Sequence, residues 1–255
     1  PVDDWYGVSV RNDRVFKINL ISNNLNGSLP PELGNLTHLE HLYLMANFLT
    51  GSIPSELGSL TQLKILLLGF NDFSGNIPSE LGNLTDLEEL FLVENNFTGS
   101  IPPELGNLKS LISLGCSFNN LGGSIPPELG QMINLRELDL SHNALSGSVP
   151  PELGNLFDLE LLFIQHNHLT GLPDRSGWMG HLNVLICYDN KLTFEDFEPH
   201  FRLSMIHSPQ DCVQTNGSDE LKLGEALKLS VNVGGSANQY QWYRDGLPVR
   251  SSGAD

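Results

Sequence analysis

The stretch LEELFLVENNFTGSIPPELGNL, Leu87–Leu108, carries two patterns at once. Leu90 and Leu92 alternate as the buried face of a strand does, yet Phe91 and Val93 beside them are just as apolar. A strand buried on both faces reads this way, and so does one whose outer face is kept for a partner. An Asn, a Gly and a Pro follow, residues that interrupt regular structure, and then a short turn that again carries leucines.

The same wording returns upstream as LEHLYLMANFLTGSIPSELGSL from Leu39 and downstream as LRELDLSHNALSGSVPPELGNL from Leu135. Asparagines fall 24 residues apart at Asn23, Asn47, Asn71, Asn95, Asn119, Asn143 and Asn167, and Asn190 follows after 23. The shorter step has a visible cause, because LTGSIP at Leu49–Pro54 becomes LTGLP at Leu169–Pro173. A fixed period of this length is the signature of a stacked solenoid. Each unit supplies a short strand with one apolar face that it cannot bury alone, and parallel stacking of the units closes the core.

The remaining positions of the unit read as scaffold. An Asn at the strand's end can donate to and accept from backbone groups of its own and adjacent coils. Leaving such groups unpaired costs about 1–3 kcal/mol each, so the asparagine ladder reads as structural. Gly27, Gly51, Gly75, Gly99, Gly123, Gly147 and Gly171 mark tight backbone positions, and the recurring prolines from Pro30 to Pro150 exclude a helix or sheet interior there. Glu32, Glu56, Glu80, Glu104, Glu128 and Glu152 recur in the short turn, so a sizeable part of the acidity is repeat composition.

This L-x-x-L-x-L-x-x-N-x-L-x-G-x-I-P wording resembles the plant-type, 24-residue class of leucine-rich repeat proteins, over eight units from about Val15 to Asn190. The resemblance implies an α/β-type repeat solenoid, mostly β with 3-10 or irregular turns. Its coil is right-handed and its parallel sheet lines the concave side. The organisation expected is an amino-terminal cap at 1–14, the array at 15–192, a carboxy-terminal cap at 193–212 and a further segment at 213–255. DDWYGVSVRNDRVFKINL resembles the cap of this class, although the paired cysteines usual in plant caps do not occur. LTFEDFEPHFRLSMIHSPQDC resembles the tail after such arrays in secreted or surface proteins of Bacteroidetes-type bacteria. LKLGEALKLSVNVGGSANQYQWYRDGLPV, around Trp242, looks like the first strands of an immunoglobulin-like sandwich, but too few residues remain for a whole one.

Composition bounds what the molecule binds. Thirteen basic residues against thirty acidic give a net charge of −17 over 255 residues, which disfavours phosphate backbones and anionic lipid. No run of 18 apolar residues encodes a membrane span. The chain begins at Pro1 without initiator Met or signal-peptide features and reads as a mature or excised segment, with an extracellular or cell-surface location implied by the resemblance. N-x-[ST] sequons stand at Asn35, Asn83, Asn96 and Asn216.

Residues with chemical potential are few. Cys116 and Cys187 each replace an inward leucine three residues before a ladder Asn and read as buried thiols, too far apart to pair. Cys212 could approach Cys187 through the cap. His142 and His166 occupy equivalent positions on consecutive units, with Glu137, Asp139 and Asp189 nearby, but no ligand spacing such as H-E-x-x-H accompanies them. No catalytic, cofactor or metal motif is present, so an enzyme is not expected.

The outward positions are where the units differ. Between the two inward leucines stand Asn19, Tyr43, Leu67, Phe91, Gly115, Asp139, Phe163 and Ile186, flanked by His41, Met45, Ile65, Phe70, Val93, Phe118, Leu161, Val184 and Tyr188. With His142 and His166 they make an apolar and aromatic row along the concave sheet, interrupted near Gly115 and Asp139. Such a row predicts a non-enzymatic recognition module whose concave face takes a protein or glycan. Packing of that face on another part of the protein or on a second copy is the structural alternative. A eukaryotic receptor or inhibitor ectodomain, or a structural or adhesive spacer in a larger surface protein, are the alternatives of function.

Overall fold

The computed structural model describes residues 5–173 and 182–192 in full and the backbone of Trp242–Arg244 and Leu247–Val249. Nine strands form one sheet in the order Val8–Arg11, Arg14–Asn19, His41–Tyr43, Ile65–Leu67, Glu89–Phe91, Ser113–Gly115, Glu137–Asp139, Leu161–Phe163 and Val184–Ile186. The first two are antiparallel and meet at a tight turn through Asn12 and Asp13, both at positive φ, as a two-residue hairpin with right-handed twist requires. From Arg14–Asn19 onward every pairing is parallel and in register one unit apart. Coils 1 to 8 are numbered here by these strands, from Arg14–Asn19 to Val184–Ile186.

Alternation places the leucines inside. Leu42, Leu66, Leu90, Leu114, Leu138 and Leu162 are completely buried, and the second inward row runs Leu44, Leu68, Leu92, Cys116, Leu140 and Ile164, none above 4% exposed. Each buried aliphatic side chain contributes about 1.5–3 kcal/mol, and here they form one continuous core from Leu29 to Cys187 that is shared between coils, so no unit is stable alone.

The asparagine ladder joins successive coils. The Asn95 side-chain amide donates to the carbonyls of Leu92 and Val93 in its own coil and of Leu68 in the coil before, while its Oδ1 accepts from the Phe73 backbone N–H at 3.0 Å. Asn47, Asn71, Asn119, Asn143, Asn167 and Asn190 repeat the arrangement. Asn23, in the first coil, donates its backbone N–H to Asn47 Oδ1.

A second parallel sheet, which the sequence reading did not anticipate, flanks the first. Asn26–Gly27, Phe48–Gly51, Asp72–Gly75 and Asn96–Phe97 form one part of it and Gly122–Gly123, Ala144–Ser148 and His168–Gly171 another, linked by a bridge from Ser100 to Gly122. Leu49, Phe73, Phe97, Leu121, Leu145 and Leu169 face inward from it. Alternation over two to five residues is too short to register as a strand against the prolines and glycines around it. The six glycines from Gly27 to Gly147 sit at φ between 75° and 90°, the left-handed region that lets the chain leave this sheet.

The far side of each of coils 1 to 6 is a five-residue 3-10 turn, for example Pro103–Asn107, entered through an extended proline. Its glycine, Gly34, Gly58, Gly82, Gly106 or Gly130, lies against the backbone of the glutamate one coil further on, where a Cβ would collide with the Glu carbonyl. Trp242–Arg244 and Leu247–Val249 pair as an antiparallel two-stranded ribbon. The rest of the proposed immunoglobulin-like segment, the cap at 193–212, Cys212 and Asn216 lie outside the described residues.

Candidate functional site

Three rows of side chains cover the outer surface of the nine-stranded sheet. The central row is Tyr43, Leu67, Phe91, Gly115, Asp139, Phe163 and Ile186, brought into direct register by the parallel pairing, about 4.8 Å per coil. Apart from buried Gly115, every member is half-buried, neither enclosed in the coil nor freely solvated. Met45, Gly69, Val93, Ser117, Ser141, Gln165 and Tyr188 form the next row. His41, Ile65, Glu89, Ser113, Glu137, Leu161 and Val184 open the strands.

The turn that follows each of these strands holds an unusual backbone. Ala46, Phe70, Glu94, Phe118, His142, His166 and Asp189, each one residue before a ladder Asn, all have φ between 50° and 56°. That conformation costs an ordinary residue about 1–2 kcal/mol, and it turns the following Asn inward to its four backbone partners. Phe70, Phe118, His142 and His166 therefore stand in the turn that follows each strand, as a row along the rim, rather than on the strands themselves. Phe70 and Phe118 remain 43% and 47% exposed.

Along coils 5 to 8 the rim becomes a stack of rings. Phe118 and His142 lie 3.9 Å apart at 12°, His142 and His166 4.0 Å apart at 30°, and Tyr188 meets His166 edge-on at 5.0 Å. Asp189 Oδ2 is 3.0 Å from His166 Nδ1 at the end of the stack. Burial lowers the His142 pKa below its ordinary 6.5, and the neighbouring His166 lowers it further, against the opposing pull of Asp139 and Asp189. The stack therefore favours a neutral His142.

At the other end, His41 stacks on Tyr43 at 5.9 Å and the Lys17 ammonium lies 5.1 Å from the Tyr43 ring. Burial lowers the His41 pKa and, with a contribution from Glu89, raises the Tyr43 phenol above its ordinary 10.0.

The interruption read near Gly115 and Asp139 has a structural form. Phe91 and Val93 lean across the missing side chain, so that a Cβ on Gly115 would lie 3.0 Å from Val93 Cγ2 and 3.3 Å from Phe91 Cδ1. Asp139 Oδ1 accepts from the Ser141 backbone N–H at 3.0 Å and from the Ser141 hydroxyl at 2.7 Å. Gln165 Oε1, one coil on, is buried without a hydrogen-bond partner among the described residues. Gln165, Ser117 and Ser141 were not singled out in the sequence, although they share a column with Met45 and Val93, which were.

Other residues with chemical potential are enclosed or dispersed. Cys116 and Cys187 are free and buried, and burial pushes both thiols up to about 12, with Asp139 adding to the effect at Cys116. In a Cys212→Ser protein an aromatic disulfide reagent is expected to titrate neither thiol at mildly alkaline pH and both after unfolding in guanidinium. Rapid labelling of the folded protein would contradict the packing. Among the described residues no group of three His, Cys, Asp or Glu is arranged to hold a metal ion, and no helix is long and apolar enough to cross a membrane. Asn35, Asn83 and Asn96 are exposed.

Comparison with known proteins agrees with the geometry. The family described as leucine-rich repeat region matches residues 18–126, and leucine rich repeat matches residues 134–156. No curated protein matches the chain in sequence. Among solved structures, the plant peptide hormone receptor RGFR1 in complex with RGF2 is 37% identical, with a TM-score of 0.67 over 69% of this chain and 28% of that one. A plant ice-binding protein is 32% identical, with a TM-score of 0.67 over 74% of this chain and 63% of that one. The leucine-rich repeat ectodomain of the receptor kinase SOBIR1 from Arabidopsis thaliana is 33% identical, with a TM-score of 0.52 over 58% of this chain and 85% of that one. The chain thus spans less than a third of RGFR1 and most of the SOBIR1 ectodomain.

Proposed function

The chain belongs to the leucine-rich repeat family, and from that premise we propose that it is a non-enzymatic recognition module, extracellular or attached to a cell surface, that binds a protein or peptide through its inner sheet. The observation that carries this reading is the central row, in which Tyr43, Leu67, Phe91, Phe163 and Ile186 stand half-buried and in register on a rigid sheet. Large side chains already ordered before binding lose little further entropy when a partner arrives. The similarity to a peptide hormone receptor supports a peptide or protein partner over a glycan. The similarity to an ice-binding protein is the reminder that this fold alone does not fix the ligand.

The lack of paired cysteines in the cap supports a bacterial source. A eukaryotic receptor ectodomain is the second reading, favoured by the likeness to SOBIR1 and by the exposure of Asn35, Asn83 and Asn96. Sugar at any of these sites in protein from its native source would decide for it.

The test is a screen of the purified protein against secreted-protein and glycan arrays, followed by Phe91→Ala and Tyr43→Ala. Each variant is expected to lose about tenfold or more in affinity while its thermal transition stays close to the parent's. Unchanged affinity in both variants would remove the inner sheet from consideration, and a ligand found only among glycans would replace the peptide.

A further inference from the structure

Charge is unevenly distributed along the inner sheet. On the inner sheet and its rim, the hairpin and coils 1 to 3 carry Arg11, Arg14, Lys17 and Lys64 against Asp13 and Glu40. On coils 4 to 7 the sheet and its rim carry Glu88, Glu89, Glu94, Glu137, Asp139 and Glu160. Arg136 is the one Lys or Arg on those segments, and it faces Glu160 at 3.8 Å.

Within this acidic half, Asp139 alone is a carboxylate in the central row. Ser141 holds its Oδ1 with two hydrogen bonds, which fixes the rotamer, and Oδ2 has no hydrogen-bond partner among the described residues. Phe163 is its register neighbour on one side. On the other, Gly115 leaves a gap over which the Phe91 ring leans. An oriented, half-buried carboxylate with one free oxygen, set between two aromatic side chains, matches a planar cation that accepts stacking on its face and donates along its edge. A guanidinium does both, whereas an ammonium is a point charge with no face to stack.

We infer that coils 4 to 7 bind an arginine side chain of an extended peptide segment, with Asp139 Oδ2 as its acceptor and the Phe91 ring as its platform. This rests on the recognition reading above and names the chemistry of the partner. The apolar central row on either side, Leu67, Phe163 and Ile186, takes the neighbouring side chains of the segment. The basic hairpin and coils 1 to 3 fix its direction, because a cationic stretch is repelled there and attracted further along. A second copy of the chain, at a net charge of −17, is disfavoured as the occupant by like charge.

The experiment uses fluorescence anisotropy with three labelled synthetic peptides of repeated Ser-Arg-Gly-Leu sequence, in which arginine is retained, replaced by lysine or replaced by neutral, isosteric citrulline. The arginine peptide is expected to bind most tightly, lysine less, and citrulline about tenfold or more weakly. Asp139→Asn keeps an oxygen for Ser141 and is expected to weaken the arginine peptide about tenfold while leaving the citrulline peptide unchanged. Equal binding of the arginine and citrulline peptides, or an Asp139→Asn protein that binds the arginine peptide normally, overturns the inference. If those same peptides still lose affinity in Phe91→Ala, the recognition reading survives that failure. No binding of the arginine peptide at millimolar concentration also overturns the inference and leaves the recognition reading to the array screen.

Discussion

Asn95→Asp, an isosteric change, is expected to destabilise the array by roughly 3–5 kcal/mol, more than the truncation Asn95→Ala. The Asn95 Nδ2 faces the carbonyl oxygens of Leu68, Leu92 and Val93. An ionised aspartate puts a negatively charged oxygen where those three acceptors require a donor, in a position only 8% exposed. Alanine is less harmful. Leu68 O and Leu92 O each keep a second asparagine, Asn71 and Asn119, so the severe loss is the Phe73 N–H, which is left buried without its acceptor at a cost of about 1–3 kcal/mol.

The sign of the pH dependence follows. Carbonyl oxygens and burial raise the folded-state pKa of the introduced carboxyl above its unfolded value, so the folded state holds the proton longer. The penalty is full above that raised pKa and is relieved as the pH falls, because a protonated carboxyl again donates. Urea denaturation of parent, Asn95→Asp and Asn95→Ala at neutral and acid pH checks this. An Asp variant as stable as the parent at neutral pH would show that the ladder does not carry the stacking.

Gly106→Ala is expected to cost about 3 kcal/mol or more, although the same substitution at an unconstrained turn of ordinary φ stabilises by about 0.4–1 kcal/mol through the unfolded chain. The opposite sign comes from the neighbouring coil. A Cβ at Gly106 would collide with the Glu128 carbonyl and come within 2.9 Å of the Glu128 Cβ, and backbone on both sides leaves no flexible side chain to move aside. Gly27 provides the contrast, since its φ of 90° strains an L-residue but nothing lies within 4 Å of the added atom. Gly27→Ala is therefore expected to cost only about 1 kcal/mol. Equal effects at the two positions, read from thermal or urea transitions, would mean that the turns do not pack as tightly as the structure shows.

Much of the architecture was legible because repetition multiplies a weak signal. One strand of three residues is unreadable by itself, but Leu90 and Leu92 recur as Leu42 and Leu44, Leu66 and Leu68, and Leu138 and Leu140, which fixes the inward face and the period together. The outward residues Tyr43, Phe91, Asp139 and Phe163 followed from the same register. The second sheet was not legible, since Asn96–Phe97 and Gly122–Gly123 are two residues long and sit among turn formers. Nor was the packing role of Gly106 and its equivalents, because the colliding atom belongs to a residue one full coil away.

The sequence by itself determined the solenoid, its period, the buried leucines and the asparagine ladder, because those depend on which residue types recur at which spacing. Only the tertiary structure decided what the variable positions make together. Parallel stacking brings residues 24 apart within one strand spacing. It thereby joins Phe118, His142 and His166 into a stack of rings and sets Phe91 over the gap at Gly115. Ser141, two residues away in its own coil, orients the Asp139 carboxylate. Those contacts depend on side-chain direction and distance across coils, which the order of residues along one chain does not contain.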